Sequence, residues 1–323
     1  MSEEVADDNI LDPGIFPSLK GPPHALFDAW RSSDPVHWNP PSAAYVPTQP
    51  SSSMKKGFWV LTRYQDVSEV SLGQELFSSY DEGFVIWDLE EEELQRQRAN
   101  FMGMQPADHA AVRQALLPAF SPKAIEALSG QIERLAAEIV DDVALSGKCE
   151  FVFDVASKLP VYAFCELMGI PEDLRARVVR CGNAIADVEA QRDLDFDPTM
   201  ELFEIAQALA EEKRRKPDSG LMSAMVHNRD LGLSQLAINM FFLVFAIAGH
   251  ETTRSTAAHF IYMMQQYPDQ YRLLRSDVDR YLENAIEEVL RFTATTTNFR
   301  RTATADAVIG GQAIAKGDKI YLS

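Results

Sequence analysis

Cysteine is scarce in this chain: Cys149, Cys165 and Cys181 are the only three in 323 residues. An odd number without metal-ligand or CxxC spacing excludes a disulfide framework and points to a reducing, cytoplasmic setting. Cations are also short, with 30 Lys and Arg against 48 Asp and Glu and a net charge of −18. Phosphate backbones are gripped by clustered cations, so a nucleic-acid partner is not expected. Long apolar runs are missing too. The longest, Met240 to Gly249, covers ten residues, which suits a buried core helix and is too short for a membrane span. The amino terminus reads MSEEVADD, acidic where a secretory signal is basic.

Several catalytic signatures are absent. No Gly-rich phosphate loop and no GxSxG elbow occurs, which removes the NTPase and α/β-hydrolase readings. His250-Glu251 opens like a zincin helix, but Arg254 stands where the second His belongs. No Glu lies three residues before any His, so the di-iron carboxylate helix is excluded as well.

What remains is an ordinary globular composition, 46% hydrophobic and 24% charged, with a marked helical period. Residues 1–56 read as largely irregular, with one amphipathic stretch at 23–32 and a Pro/Ser-rich surface loop at 40–53. A strand is expected at 58–62 and a short helix at 64–72. Further helices are expected over 108–117, 122–146, 155–168, 172–188, 199–215, 219–227, 234–267 and 269–292. Beyond Arg291 the pattern becomes β, with turn signals at Gly310-Gly311 and Lys316-Gly317-Asp318. The expectation is a single domain, mainly α with a small β portion, over 1–323. The last run, Lys319 to Ser323, reads as a strand in progress, so the chain is expected to stop inside an element.

Four groups of residues carry chemistry. The helix over 234–267 would be about 50 Å long at roughly 1.5 Å per residue. In its middle stands Ala248-Gly249-His250-Glu251-Thr252-Thr253. Gly weakens a helix, a buried carboxylate is costly unless paired, and Thr hydroxyls can bond back to carbonyls one turn earlier. Small residues there allow a flat ligand close to the backbone; a polar stretch meeting solvent is the competing reading. His109 and Arg113, one turn apart near a helix start, share a face and can grip one anion, although such pairs are commonly only surface. Glu288 and Arg291 can form an i, i+3 ion pair of a common kind. In Asn298-Phe299-Arg300-Arg301, strand alternation sends the two arginines to opposite faces, one of them inward.

Taken together and in this order, the four groups resemble the cytochrome P450 haem-thiolate monooxygenases of the soluble bacterial kind. AGHETT at 248–253 is similar to the oxygen-activation motif of that family's central helix. Glu288-x-x-Arg291 is similar to its ExxR pair, and His109-x-x-x-Arg113, followed by FSPKAI at 120–125, to its propionate-binding helix. Arg301 in RTATAD is similar to its strand arginine.

The resemblance implies a cytochrome P450 fold and haem b. Thr252 and Glu251 would be the catalytic alcohol–acid pair. His109, Arg113 and Arg301 would meet the propionates, Ala248 and Gly249 would lie against the cofactor, and Glu288 and Arg291 would be structural. The segment from Gly83 to Met104 would cover the substrate pocket, with Ile86, Val244 and Thr297 as wall residues. The acidic run 88–93 reads as a solvated helix face.

The implied activity is hydroxylation of a lipophilic terpenoid, steroid or aromatic compound by O₂. Electrons would come from a ferredoxin and its reductase. A haem-binding or small-molecule-binding protein on the same scaffold, without turnover, is the alternative. None of the three cysteines has the context of the family's axial ligand, so the resemblance implies that this cysteine, and the carboxyl-terminal part of the fold, lie beyond Ser323.

Overall fold

The structure, a computed structural model, describes residues 9–11, 23–41, 52–186, 195–228 and 231–323. Most of the expected loop at 40–53, and the end of the helix expected to reach 188, lie outside these. The chain divides into two compact units, residues 1–109 with 297–323, and residues 110–296.

The first unit carries the β structure. Its elements are α1 (His24–Ser33), β1 (Val36–Asn39), β2 (Ser52–Ser53), β3 (Phe58–Leu61), α2 (Tyr64–Leu72), β4 (Phe77–Ser78), β5 (Asp88–Leu89) and α3 (Glu91–Ala99). Five strands form one sheet in the order β1-β3-β9-β6-β4, with β6 at Phe299–Ala303 and β9 at Lys319–Leu322. Hairpin β7–β8 (Ala307–Ile309, Gln312–Ile314) pairs separately, but its Ile309 and Ile314 join the core on one face of that sheet. Strand alternation sorts two cores onto the two faces. Leu61, Ala303, Ile320 and Leu322 pack with Val70 of α2. Phe58, Val60 and Tyr321 pack with Phe27 and Trp30 of α1. Every residue of β9 is buried, as a central strand covered on both faces requires. Chain-distant β3 and β9 pair in parallel, Trp59 opposite Ile320, and Trp59 Nε1 donates to Asp318 Oδ2 at 2.9 Å.

The acidic run does not form one helix face. Asp88 lies in β5 and only Glu91 onward is helical. The Asp88 carboxylate is claimed by Lys319 Nζ at 2.6 Å and by the Lys55 N–H at 2.8 Å; these contacts are invisible to local patterning.

The second unit is helical. After α4 (Pro106–Leu116), within which the division falls, come α5 (Pro122–Ala144), α6 (Lys158–Met168), α7 (Glu172–Ala186), α8 (Pro198–Arg215), α9 (Leu221–His227), α10 (Gln235–Gln266), α11 (Pro268–Ser276) and α12 (Val278–Thr293). The local signals act as capping chemistry predicts. Ser121 caps α5 with Pro122 at its first position, and Ser234 caps α10 through the Ala237 N–H at 3.1 Å. Gly169 ends α6 at φ 74°, a left-handed position natural to glycine.

The helix expected over 269–292 is two helices. Asp277, at φ −162° and ψ 87°, breaks the run and caps α12 through the Arg280 N–H. Its carboxylate competes for backbone N–H groups better than the helix interior can use it. Helix α10 is long and apolar enough to cross a membrane by length and composition. Here it packs instead against α6, α7, α8 and α12, with Ala237, Ile238, Phe241, Phe242 and Ala246 in the core.

Candidate functional site

In the first unit, His109 and Arg301 line one cavity of about 470 Å³, together with Tyr80, Phe84, Met102 and Phe299. Alternation along β6 explains the arrangement. Arg301 falls on the face of its register partner Ile320, while Arg300, opposite Tyr321, falls on the other. Arg301 is half-buried, and its Nη1 donates to the Arg300 carbonyl at 3.0 Å. Burial holds its guanidinium below its ordinary value, and the carboxylate residues Glu75 and Asp81 line the same cavity. A cation that is partly desolvated and faces a cavity is suited to an anionic ligand group. The His109 ring packs on Phe101 with centroids 4.2 Å apart.

In the second unit, Val244, Ala248, Gly249, Glu251 and Thr252 follow one another along α10. Ala248 and Gly249 are exposed at the centre of this otherwise apolar helix. A methyl group built on Gly249 would meet nothing within 4 Å, so the backbone there is open to a flat neighbour. Thr252 Oγ1 donates to the Ala248 carbonyl at 2.7 Å, the back-bond expected of a helical threonine. Glu251 pairs with Arg254 at 2.6 Å and accepts from Ser255 Oγ at 3.2 Å. His250, beside them in sequence, is buried. Burial foremost, then the Arg254 charge, holds its imidazole below the ordinary value despite Glu251 and the Gly182 backbone, so it is neutral at pH 7.

Glu288 and Arg291 form a forked pair at 2.6 and 2.7 Å, with side chains 60% and 68% exposed. Pairs that open contribute little to stability. Arg113 is exposed on α4, one turn after His109. Thr297 is exposed, and its Oγ1 accepts from Asn298 Nδ2 at 3.0 Å.

Ile86 is buried and belongs to the core cluster of Phe58, Val60 and Tyr321. The residues that sequence reasoning missed are Arg300 and Lys319, each 2% exposed. The tandem arginine was the only signal of the first, and nothing local marked the second.

Burial pushes the Cys165 and Cys181 thiols up to about 12, opposite to what a thiolate ligand needs, and Cys149 is exposed. No group of three or more His, Cys, Asp or Glu among the described residues could hold a metal ion. A groove of about 810 Å³ between α5 and residues 217–227 touches none of the expected site residues.

The cytochrome P450 family profile matches residues 191–323. A steroid C26-monooxygenase of Mycolicibacterium smegmatis is 32% identical over 301 residues, 91% of this chain and 69% of that protein. Linalool 8-monooxygenase of Pseudomonas putida is 29% identical, covering 95% of this chain and 78% of its own length. Among solved structures, a Mycobacterium marinum cytochrome P450 in complex with pseudoionone superposes with a TM-score of 0.83 at 32% identity, over 92% of this chain and 73% of that one. The chain belongs to the cytochrome P450 family of haem-dependent oxidoreductases. It spans about two thirds of the steroid monooxygenases it matches, 69% of the one above and 66% of another from Rhodococcus jostii.

The side chains fit the cofactor that the family implies. Haem carries two carboxylates and a flat face. In the first unit Arg301 is a half-buried cation at a cavity; in the second, taken by itself, Gly249 leaves its side of α10 bare.

Proposed function

We infer that this protein hydroxylates a lipophilic small molecule of steroid or terpenoid type with O₂, using haem b and electrons from a ferredoxin and its reductase. The observation that carries the reading is Arg301, half-buried and facing the cavity it shares with His109. The names of the relatives support the substrate class, and the three free cysteines support a cytoplasmic location. In this reading the two compact units work as one P450 domain.

His109, Arg113 and Arg301 hold the propionates by charge-assisted hydrogen bonds. Ala248 and Gly249 keep bulk away from the cofactor face, while Val244 and Thr297 bound the substrate. Bound there, haem supplies the activation of O₂ and its transfer to carbon. Thr252 holds a proton at Oγ1 and orders water beside it. Glu251 passes protons inward from solvent, which requires it to exchange its Arg254 partner for water during turnover. The Glu288–Arg291 fork has a structural role.

The competing reading, a haem-binding protein without turnover, is favoured only by the Glu251–Arg254 pair, which would then simply persist. The two readings separate when haem-loaded protein is supplied with O₂, ferredoxin, reductase and either testosterone or linalool. A product one oxygen atom heavier, seen by mass spectrometry, supports the oxygenase. Stable haem with neither product nor electron consumption sinks it. Arg301→Ala is expected to speed haem loss to an apoglobin scavenger by about tenfold, the value of one charge-assisted contact. An unchanged rate would remove Arg301 from the cofactor site.

A further inference from the structure

The irregular segment 83–87 and the start of β5 hold the most unusual polar arrangement in the first unit. Buried backbone outside helices and strands must find partners for its carbonyls, and here two buried cations supply them. The Arg300 amide donates to the Phe84 carbonyl at 3.0 Å. Its guanidinium Nη1 donates to the Trp87 carbonyl at 2.9 Å and reaches the Val85 carbonyl at 3.5 Å. Lys319 Nζ reaches the Ile86 carbonyl at 3.5 Å, the Lys56 carbonyl at 3.4 Å and Asp88 Oδ1 at 2.6 Å. Gln97 Oε1 accepts from the Phe84 N–H at 3.2 Å. The sheet register explains why both cations reach one segment. Arg300 lies opposite Tyr321 and Lys319 opposite Thr302 on adjacent strands, so the two side chains rise from the same face.

Two cations are each 2% exposed; Lys319 pairs with Asp88, while Arg300 feels the charges of Asp88 and Glu82 without an ion pair to either among the described residues. Apolar residues of similar volume would stabilise such a site at least as well, so stability alone does not account for the pair. What the arrangement provides is a fixed backbone path that leaves the Phe84 ring on the wall of the His109–Arg301 cavity while Ile86 is drawn into the core.

We propose that Arg300 and Lys319 form a clamp on residues 84–88 that sets the position of Phe84 and thereby selects the shape of the lipophilic substrate. Both are positioning residues, acting through the segment they hold, and the selection step rests on the oxygenase reading above.

The test uses the haem-loaded protein carrying Arg300→Met. Hydrogen–deuterium exchange is expected to become about tenfold faster at residues 84–88 and to stay unchanged in β1 and β3. Optical titration with testosterone and linalool is expected to show the ratio of their dissociation constants falling by about fivefold, with haem content kept. Arg300→Lys keeps the charge but cannot span two carbonyls, so it is expected to resemble the Met variant. Should Arg300→Met not accumulate, Asp88→Asn loosens the same segment through Lys319 and is read by the same two measurements.

Unchanged exchange at 84–88 overturns the clamp. Faster exchange with the ligand ratio intact overturns its role in selection. A wild-type protein that takes up no haem sinks the oxygenase reading instead, and the exchange measurement still decides the clamp.

Discussion

Replacing Thr252 by alanine is expected to leave ligand affinity and haem content unchanged while diverting most electrons from product to hydrogen peroxide. The fold should tolerate the change, because alanine is the better helix former and the lost bond, Thr252 Oγ1 to the Ala248 carbonyl at 2.7 Å, lies within α10 itself. What disappears is a hydroxyl at the one stretch of α10 where Ala248 and Gly249 leave the backbone bare. A positioned proton donor is worth about 10²- to 10⁴-fold in rate, so product formation should fall by at least about a hundredfold. The measurement is product and peroxide formed per reducing equivalent, with Thr252→Ser as the control that restores the hydroxyl. Unchanged coupling would remove Thr252 from the proton path and leave only its helix-bonding role.

The second large effect is on stability. Asp88→Asn leaves Lys319 buried at 2% exposure without a counter-ion, and breaking a buried pair from one side costs about 3 kcal/mol, the low end of the range because Asp88 is partly open to solvent. Guanidinium melts of wild type and variant at pH 7 measure it. Adding Lys319→Met to Asp88→Asn should recover part of the loss, since the orphaned charge goes with it.

The dependence on pH has a definite sign. Burial pushes the Asp88 carboxyl up, but the hydrogen bond and charge of Lys319, the Lys55 N–H and Arg300 together hold it below its ordinary value of 3.8. A depressed carboxyl in the folded state stabilises the fold above the ordinary value, and that contribution is lost as pH falls through the folded-state value. The gap between wild type and Asp88→Asn should therefore be full at pH 7 and close below pH 3.8. A gap that stays constant to pH 2 would assign the cost to lost hydrogen bonds rather than to charge. Burial outweighs the pair for Lys319, whose ammonium lies below its ordinary value in spite of Asp88.

Much of the helical framework was legible because its signals are local. Ser121-Pro122, Gly169, Ser234 and Pro268 end or begin helices by chemistry that acts over a few residues, and each does so here. The break at Asp277 in the helix expected over 269–292 escapes local reading for the same reason in reverse. Its helical surroundings carried a continuous apolar period, and only the backbone geometry reveals that its side chain caps α12. The ion pair Glu288–Arg291 and the back-bond of Thr252 were also within local reach, at separations of three and four residues.

The sequence by itself determined the family, the helix that bears Glu251 and Thr252, and the fact that Arg300 and Arg301 leave their strand on opposite sides. These depend on motif order and on the periods 3.6 and 2, which any local window contains. The motif already singled out Arg301; what Arg300 does was decided only by tertiary structure. Strand β9 lies between β3 and β6 in the sheet, and that pairing brings Lys319 beside Arg300 and lays 84–88 across both. Asp88 and Lys319 are separated by more than two hundred positions in the chain, and so are Arg300 and Trp87. No local pattern encodes contacts of that range, because they arise from burial of the whole sheet and not from the residues between them.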